Sequence, residues 1–318
     1  MAAMPFYFEN NPVIAVAVSG GPDSMALLHL LNQLTRVVAV TVEHGLRSES
    51  LAEAKSVGAW CKKHKIEHHI LEWHGAKPKS ALHETARAAR YELLEKFCRE
   101  KNILHLATAH HADDQAETIL QRIAKASGPM GLAGMAEHSF AQHLHVWRPF
   151  LHVRKAELIA YCEAQKILFV RDASNENLNY ARGRLRGAAE VLAAEGLTVE
   201  NLNLLAQKQR GVVEVLENAT VKFLAAQARL IAGVGGSISA DHFALQPIAV
   251  QQHALAYVLK LVSAGGAPIR YESLSDMCGA LTTPGFRART LGHCRIMHKK
   301  INKQNFIRIT PEALSPKR

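Results

Sequence analysis

Short apolar runs rich in Val, Ile and Ala alternate with longer stretches whose apolar residues recur at helical spacing. Val13–Val18 (VIAVAV) predicts a buried strand, because a continuous β-branched run bounded by turn residues suits a strand covered on both faces. Met25–Leu34 predicts a helix, Val37–Val42 (VVAVTV) a second buried strand, Leu51–His64 a second helix, and His69–Leu71 a short third strand. Ser80 is placed to cap a long helix reaching Glu100, since its hydroxyl can accept from a first-turn amide. Ile103–Thr108 predicts a further strand, with a helix from Asp113 to Ala126 behind it. Strands alternating with helices at this spacing imply an α/β fold with a parallel sheet.

Ser127–Met135 (SGPMGLAGM) is a glycine-rich loop, followed by a strand at His145–Trp147. Helical spacing returns over Arg154–Gln165, Asn179–Leu192 and Val199–Leu230. Ile231–Ser239 (IAGVGGSIS) is expected to be flexible and to mark a boundary. Beyond it the pattern predicts helices with a few short strands near the end. The expected organisation is a catalytic domain over residues 1–190, a helical connector over 191–235 and a small C-terminal domain over 236–318.

Composition narrows the class. With 318 residues, 48% hydrophobic and 21% charged, the chain is long enough for about two globular domains. No apolar run reaches the ~18 residues of a membrane span, so no membrane partner is expected. The opening MAAMPFYFENNP lacks a basic n-region and a long apolar core, so a secretory leader is not expected. The five cysteines are far apart and form no CxxC pair, which argues against a disulfide framework or a cysteine-held metal and for a reducing cytoplasm.

The net charge is +10 and it is unevenly spread. Residues 1–202 carry 23 basic and 22 acidic side chains, whereas residues 203–318 carry 15 and 6. A near-neutral region joined to a basic one suits a polyanionic partner; a solvated basic face without a partner gives the same count. The stretch holding Arg287, Arg289, Arg295, Lys299, Lys300 and Lys303 is the densest group of cations.

Candidate chemistry begins where the first strand ends, at Ser19-Gly20-Gly21-Pro22-Asp23-Ser24. Open α/β sheets bind ligands at the carboxyl ends of their strands. Two glycines let the backbone approach a phosphate, and the amides of the turn and of the following helix supply anion-binding N–H groups. Asp23 would repel phosphate directly, so its expected role is to hold a magnesium ion that bridges to phosphate oxygens. A Walker lysine loop and a GxGxxG dinucleotide loop are both missing from the sequence.

Two more constellations sit at the same edge of the expected sheet: Val42-Glu43-His44-Gly45-Leu46-Arg47, and His110-His111-Ala112-Asp113-Asp114-Gln115-Ala116-Glu117-Thr118. In the latter, Asp114 and Glu117 are three apart and Asp113 and Glu117 four apart, so the carboxylates are neighbours on one helix face. Like charges gathered this way imply a cation: a metal, as in a dinuclear hydrolase using His110, His111, Asp113 and Asp114, or an amine. A solvated acidic helix start is the plain alternative. Arg87 and Arg90 share a helix face, as do Arg182 and Arg186, and arginine forks suit phosphate or carboxylate.

In combination, SGGPDS, VEHGLR, ARAARY, HHADDQAET, SGPMGLAGM, RPFLHVRKAELIAYC and DASN…ARGRLR make residues 13–190 resemble the tRNA(Ile)-lysidine synthetase family of the ATP pyrophosphatase (PP-loop) superfamily. The resemblance implies ligation of free L-lysine to C2 of the wobble cytidine in the CAU anticodon of tRNA(Ile). ATP first adenylates the 2-oxo oxygen, releasing pyrophosphate, and lysine then displaces AMP. It also implies that Ser19, Gly20, Gly21, Pro22, Asp23, Ser24, Arg90 and His110 bind ATP. Asp23 would hold Mg2+, Asp114 and Glu117 the lysine, and Arg182, Arg184 and Arg186 would lie near the tRNA. Glu43 stands where the family usually has Asp, and Gly183 where it has Asn. A thiolase of the same superfamily would need reactive cysteines, whereas Cys61, Cys98 and Cys162 read as buried helix residues. The basic C-terminal region is expected to touch tRNA phosphates without reading sequence.

Overall fold

The computed structural model describes residues 12–45, 50–75, 82–141, 144–170, 181–263 and 269–312. The side chains of residues 82–84 and 181–182 are outside that description, as are Leu46, Arg47, Ser80 and residues 171–175. The chain divides into two compact units, Met1–Gln209 and Arg210–Arg318.

The first unit is built on a six-stranded sheet of order β3-β2-β1-β4-β6-β5. The strands are β1 (Ile14–Ala17), β2 (Val37–Glu43), β3 (Glu67–Glu72), β4 (His105–Ala107), β5 (His138–Ala141) and β6 (Leu144–Trp147). All pairings are parallel except the β5–β6 hairpin at the edge. Alternation along β1 explains why both faces are covered. Ile14 and Val16 pack with Met25 and Leu28 of α1 (Pro22–Asn32), Cys61 of α2 (Ser50–Lys63) and Cys162 of α6 (Lys155–Ala164). Ala15 packs with Leu94, Phe97 and Cys98 of α3 (Leu82–Glu100) on the other face.

The chain runs outward from β1 through β2 to β3 and then crosses back to β4 on the opposite flank. Successive loops therefore part at the carboxyl ends of β1 and β4, the switch point at which open α/β sheets bind ligands. Helix α4 (Ala112–Ala124) starts from this edge. The glycine-rich loop that follows contains one short helical turn, α5 (Pro129–Leu132). The expected helix over 179–192 is two short pieces, α7 (Ala181–Gly187) and α8 (Ala189–Ala194).

The long helix α9 (Val199–Gln227) contains the division between the units. Its apolar spacing extends to Leu230, but the backbone leaves the helix after Gln227. Ala228–Ile231 (β7) instead pairs antiparallel with Gly235–Ser239 (β8). The stretch read as flexible is thus a hairpin: Ile238 alternates into the core while Gly233, at φ +69°, makes the turn. The second unit carries a five-stranded antiparallel sheet of order β7-β8-β11-β10-β9, with β9 at Arg289–Leu291, β10 at Cys294–Ile301 and β11 at Gln304–Pro311. Helices α10 (Ala240–Ala244), α11 (Ile248–Val262) and α12 (Tyr271–Thr282) cover one face through Leu255, Leu259 and Cys278, which meet Ile238, Ile296 and Ile307. Among the described residues, no helix is long and apolar enough to cross a membrane.

Candidate active site

A cleft of about 1350 Å³ opens in the first unit at the carboxyl ends of β1, β2 and β4. The loop after β1 forms its floor. Gly20 turns the chain at φ +87°, a conformation that costs an L-residue about 1–2 kcal/mol. Gly21 is the N-cap of α1 and caps with no side chain, while Pro22 opens the helix without an N–H of its own. Ser24 closes the loop internally: its hydroxyl accepts from Ser19 N–H at 3.1 Å and donates to Gly21 O at 3.0 Å. The first-turn amides of Asp23 and Ser24 precede the first intrahelical bond, Met25 N–H to Gly21 O at 3.0 Å. A helix start left in this form binds anions.

Asp23 stands at the centre of the charges. Its Oδ1 is buried and accepts no hydrogen bond among the described residues. Burial pushes its carboxyl up from the usual range, against the pull of His111 and Lys155. An ionisable oxygen kept dry and unsatisfied is costly unless a cation meets it. The donor set therefore fits magnesium, which prefers carboxylate and phosphate oxygens.

His111 is the buried hub. Its Nε2 lies 3.6 Å from Asp23 Oδ2 and 3.4 Å from Asp114 Oδ2, and its Nδ1 lies 3.5 Å from Asp113 Oδ2. Desolvation alone would lower its pKa, but three carboxylates outweigh it and hold the imidazole above its ordinary value. His111 is also the N-cap of α4. Asp114 N–H donates to its Nδ1 at 3.3 Å, and the Asp114 carboxylate accepts from His111 N–H at 3.3 Å. This reciprocal capping box satisfies two amides that the helix start leaves without partners.

Asp113 faces the other way. Its carboxylate accepts from Lys155 N–H at 2.8 Å and from Arg154 Nη2 at 3.2 Å. Although burial opposes it, these donors and His111 hold its carboxyl well below the usual range. Asp113 thereby ties α4 to the start of α6. Glu117, one turn along α4, is buried and ion-paired with Arg186 Nε from α7. Gln115 clamps the glycine-rich loop with both ends of its amide, to Met135 O at 2.9 Å and from Met135 N–H at 2.8 Å. A side chain at Gly134 would strike that amide at 2.6 Å.

The remaining expected residues fall around the rim. Arg90 donates to His44 Nε2 at 3.3 Å, and His110 Nδ1 lies 2.9 Å from Thr108 Oγ1. Glu43 accepts from Gly45 N–H at 2.8 Å and from the Ser50 hydroxyl, which ties the end of β2 to the first residue of α2. Arg184 is exposed on α7, while Arg186 turns inward to Glu117. Arg182 lies on α7, outside the described side chains. His110 Nδ1 meets Thr108, whereas His111 meets Asp23, Asp113 and Asp114. Among the described residues, no group of three or more His, Cys, Asp or Glu is arranged to hold a metal ion. Sequence reasoning assigned no role to Arg154 or Lys155, although both line the cleft and hold Asp113. The readable signal was a basic pair just before a helix, opposite an acidic helix start. All five cysteines are free and buried, with the thiols of Cys61 and Cys162 pushed up to about 11 and those of Cys98 and Cys278 to about 12. Such thiols are the reverse of thiolate nucleophiles.

A parallel sheet with a glycine-turned phosphate loop after its first strand defines a nucleotide-binding protein of the PP-loop class, and the PP-loop domain family matches residues 3–192. A tRNA(Ile)-lysidine synthase of Methylobacterium nodulans is 42% identical over 280 residues, covering 86% of this chain and 83% of the relative. Another, from Hyphomonas neptunium, is 35% identical over 313 residues, covering 94% and 82%. The chain belongs to the tRNA(Ile)-lysidine synthase family. Its fold is also that of a U34-tRNA thiolase from Methanococcus maripaludis, with TM-score 0.55 and 17% identity over 65% of this chain and 74% of that one.

Proposed function

We propose that this chain is an ATP-dependent ligase that joins free L-lysine to C2 of the wobble cytidine in the CAU anticodon of tRNA(Ile), converting ATP to AMP and pyrophosphate. One observation carries the reading: the half-buried carboxylate of Asp23, whose buried Oδ1 accepts no hydrogen bond among the described residues, at a helix start with no side-chain cap and facing the acids of α4. A ring carbonyl is a poor electrophile, and adenylation converts its oxygen into part of a good leaving group. In this scheme Ser19 to Ser24 cradle the phosphates. Asp23 is the residue that would hold Mg2+, whose charge would offset the negative charge of the phosphates. Arg90 and His110 border the nucleotide. Asp114 and Glu117 hold the lysine ammonium by charge-assisted hydrogen bonds. Of the three arginines of α7, Arg184 is exposed on the side that would meet tRNA, whereas Arg186 pairs with Glu117 and shares that acid with the incoming amine. Buried free thiols fit work in the cytoplasm.

The test is direct. Purified protein with ATP, Mg2+ and labelled lysine should transfer label to a tRNA transcript bearing CAU and release AMP, and a transcript with another anticodon should stay unlabelled. Asp114→Asn and Glu117→Gln should each raise the KM for lysine on the order of tenfold or more while moving the KM for ATP little, because a hydrogen bond to a charged group is worth about 1.5–3 kcal/mol. Absence of labelling by the unaltered chain would overturn the reading. Loss of a bound transition metal from both variants would favour a hydrolase instead.

A further inference from the structure

Charges in the second unit are sorted by layer. Glu214 and Glu217 lie on α9, Asp241 on α10, Glu272 and Asp276 on α12, and Glu312 follows β11. The five strands carry no acidic residue, and they hold Arg229, Arg289, Arg295, Lys299, Lys300 and Arg308.

Cross-strand pairing decides which of these share a face. Ile296 pairs with Ile309, and Ile307 with Ile238, and all four are buried on the helix side. Arg289 pairs with Ile296, so it belongs to that side, and it is ion-paired with Asp276 at 3.0 Å. The opposite face carries a row across four strands, Arg229, Ser237, Arg308 and Met297. Flanking rows are Thr290, Arg295 and Thr310 on one side, and Lys299, Phe306 and Ser239 on the other. Arg229, Arg295, Lys299 and Arg308 are all exposed, and among the described residues none pairs with a carboxylate. The cations of the contiguous stretch 287–303 therefore do not all share one face. Register sets Arg289 and Lys300 on the helix side and brings Arg229 and Arg308 from other strands beside Arg295 and Lys299.

We propose that this outer sheet face is the surface on which the second unit docks an RNA backbone. The inference rests on tRNA being the substrate, and it names the face that meets it. Strands ~4.8 Å apart put Arg229 and Arg308 about 10 Å apart, and a rise of ~3.4 Å per residue puts Arg295 and Lys299 about 14 Å apart. Cations spread over that area cannot all reach one small anion, so they suit a polyanion. Ser237, Ser239, Thr290 and Thr310 add hydroxyl donors of the kind that contact phosphate and sugar oxygens. Met297 and Phe306 on these rows are half-buried, while the exposed apolar side chains of the same face, Ile231 and Ile301, stand on different strands at its margins, and the vesicle arm of the experiment weighs them.

The experiment uses the full chain and two double variants of equal charge change. Arg295→Gln with Arg308→Gln empties the outer face, and Lys222→Gln with Lys260→Gln removes exposed cations from α9 and α11. The Kd for a CAU-bearing tRNA(Ile) transcript is measured across KCl concentrations. The face variant should bind on the order of tenfold more weakly at low salt, with its salt slope flattened by about 1–2, because each lost phosphate contact removes up to about one unit. The helix variant should bind like the unaltered chain. Lysine transfer at saturating tRNA should persist in both. Equal Kd and slope in the face variant would overturn the proposal, as would equal losses in both variants, which would assign the effect to net charge. Vesicles containing phosphatidylserine supply a further check: loss of vesicle binding with unchanged tRNA binding would overturn it in favour of a membrane. Should the unaltered chain bind tRNA but transfer no lysine, the enzymatic reading fails while the comparison of the variants still decides the face.

Discussion

The two units handle charge in opposite ways. In the first, Asp23, Asp113, Asp114 and Glu117 crowd one edge of a parallel sheet, and each is buried or partly buried beside His111, Arg154 or Arg186. In the second, cations stand exposed on one face of an antiparallel sheet while the acids sit on the helices and just after β11. Desolvated charges shift pKa and require partners at defined distances. Exposed ones act through a summed field that tolerates imprecise placement. The contrast separates chemistry, which needs an oriented carboxylate, from attachment, which needs only net sign over an area.

The largest effect that can break this contrast is expected at Asp23. Asp23→Asn should reduce ATP-dependent lysine transfer on the order of a hundredfold or more, since metal-mediated charge stabilisation is worth several kcal/mol. The same variant should raise the Tm of the ligand-free protein. Burial raises the folded pKa of Asp23, so over the range between its unfolded and folded pKa the native state binds more protons than the unfolded chain. The ionised carboxylate therefore costs stability once pH rises through that range, and an amide avoids the cost. Activity and Tm moving in opposite directions mark a residue kept for chemistry. Undiminished turnover would reject the phosphate-loop assignment.

Most of the first unit was legible because its strands advertise themselves. VIAVAV and VVAVTV are continuous β-branched runs, and β1 and β2 fall inside or within a residue of them. What the pattern missed follows from context. Phe140 in β5 is exposed on an edge hairpin, so that strand carries no buried signature. Leu230 continues the helical spacing of α9, yet pairing with Gly236 on β8 outweighs that weak local preference. The eight-residue strands β10 and β11 alternate buried and exposed residues only where Cys294, Ile296, Ile307 and Ile309 meet the helices, so charges obscure their period. In the site, the loop from Ser19 to Ser24 could be read because a glycine turn between strand and helix has few other uses. The roles of His111 and Asp113 could not, since they depend on Asp23 and Lys155, which lie far away in sequence.

An intermediate effect tests whether Asp113 is a brace. Its folded pKa lies below the unfolded value, so the unfolded chain binds more protons through the acid range. Its stabilisation is complete above the unfolded pKa and disappears as pH falls from there toward the depressed folded value. Asp113→Asn should therefore lower stability at pH 7 by about 1–3 kcal/mol, the worth of hydrogen bonds to a charged group. It should also leave a shallower acid slope below about pH 5, because the titrating carboxyl is gone. Urea melts at several pH values would measure both. Parallel acid slopes for variant and parent would show that the links to Arg154 and Lys155 do not carry the brace.

The smallest expected effect belongs to the second unit. Arg295 and Arg308 point away from the buried isoleucines and touch no carboxylate among the described residues, so their stems and charges add little to the fold. Removing both should change the unfolding free energy by less than about 0.5 kcal/mol, the range typical of surface substitutions. The sign should be slightly stabilising at low salt, because four like charges on one face repel one another, and the gain should vanish as salt screens them over a Debye length of about 10 Å at 0.1 M. Chemical denaturation in urea at low and high KCl separates these terms, since urea itself adds no ionic strength. A loss well above 1 kcal/mol would mean that these arginines support the sheet and are not held in reserve for a polyanion, and the contrast between the two units would fail on the side of the second.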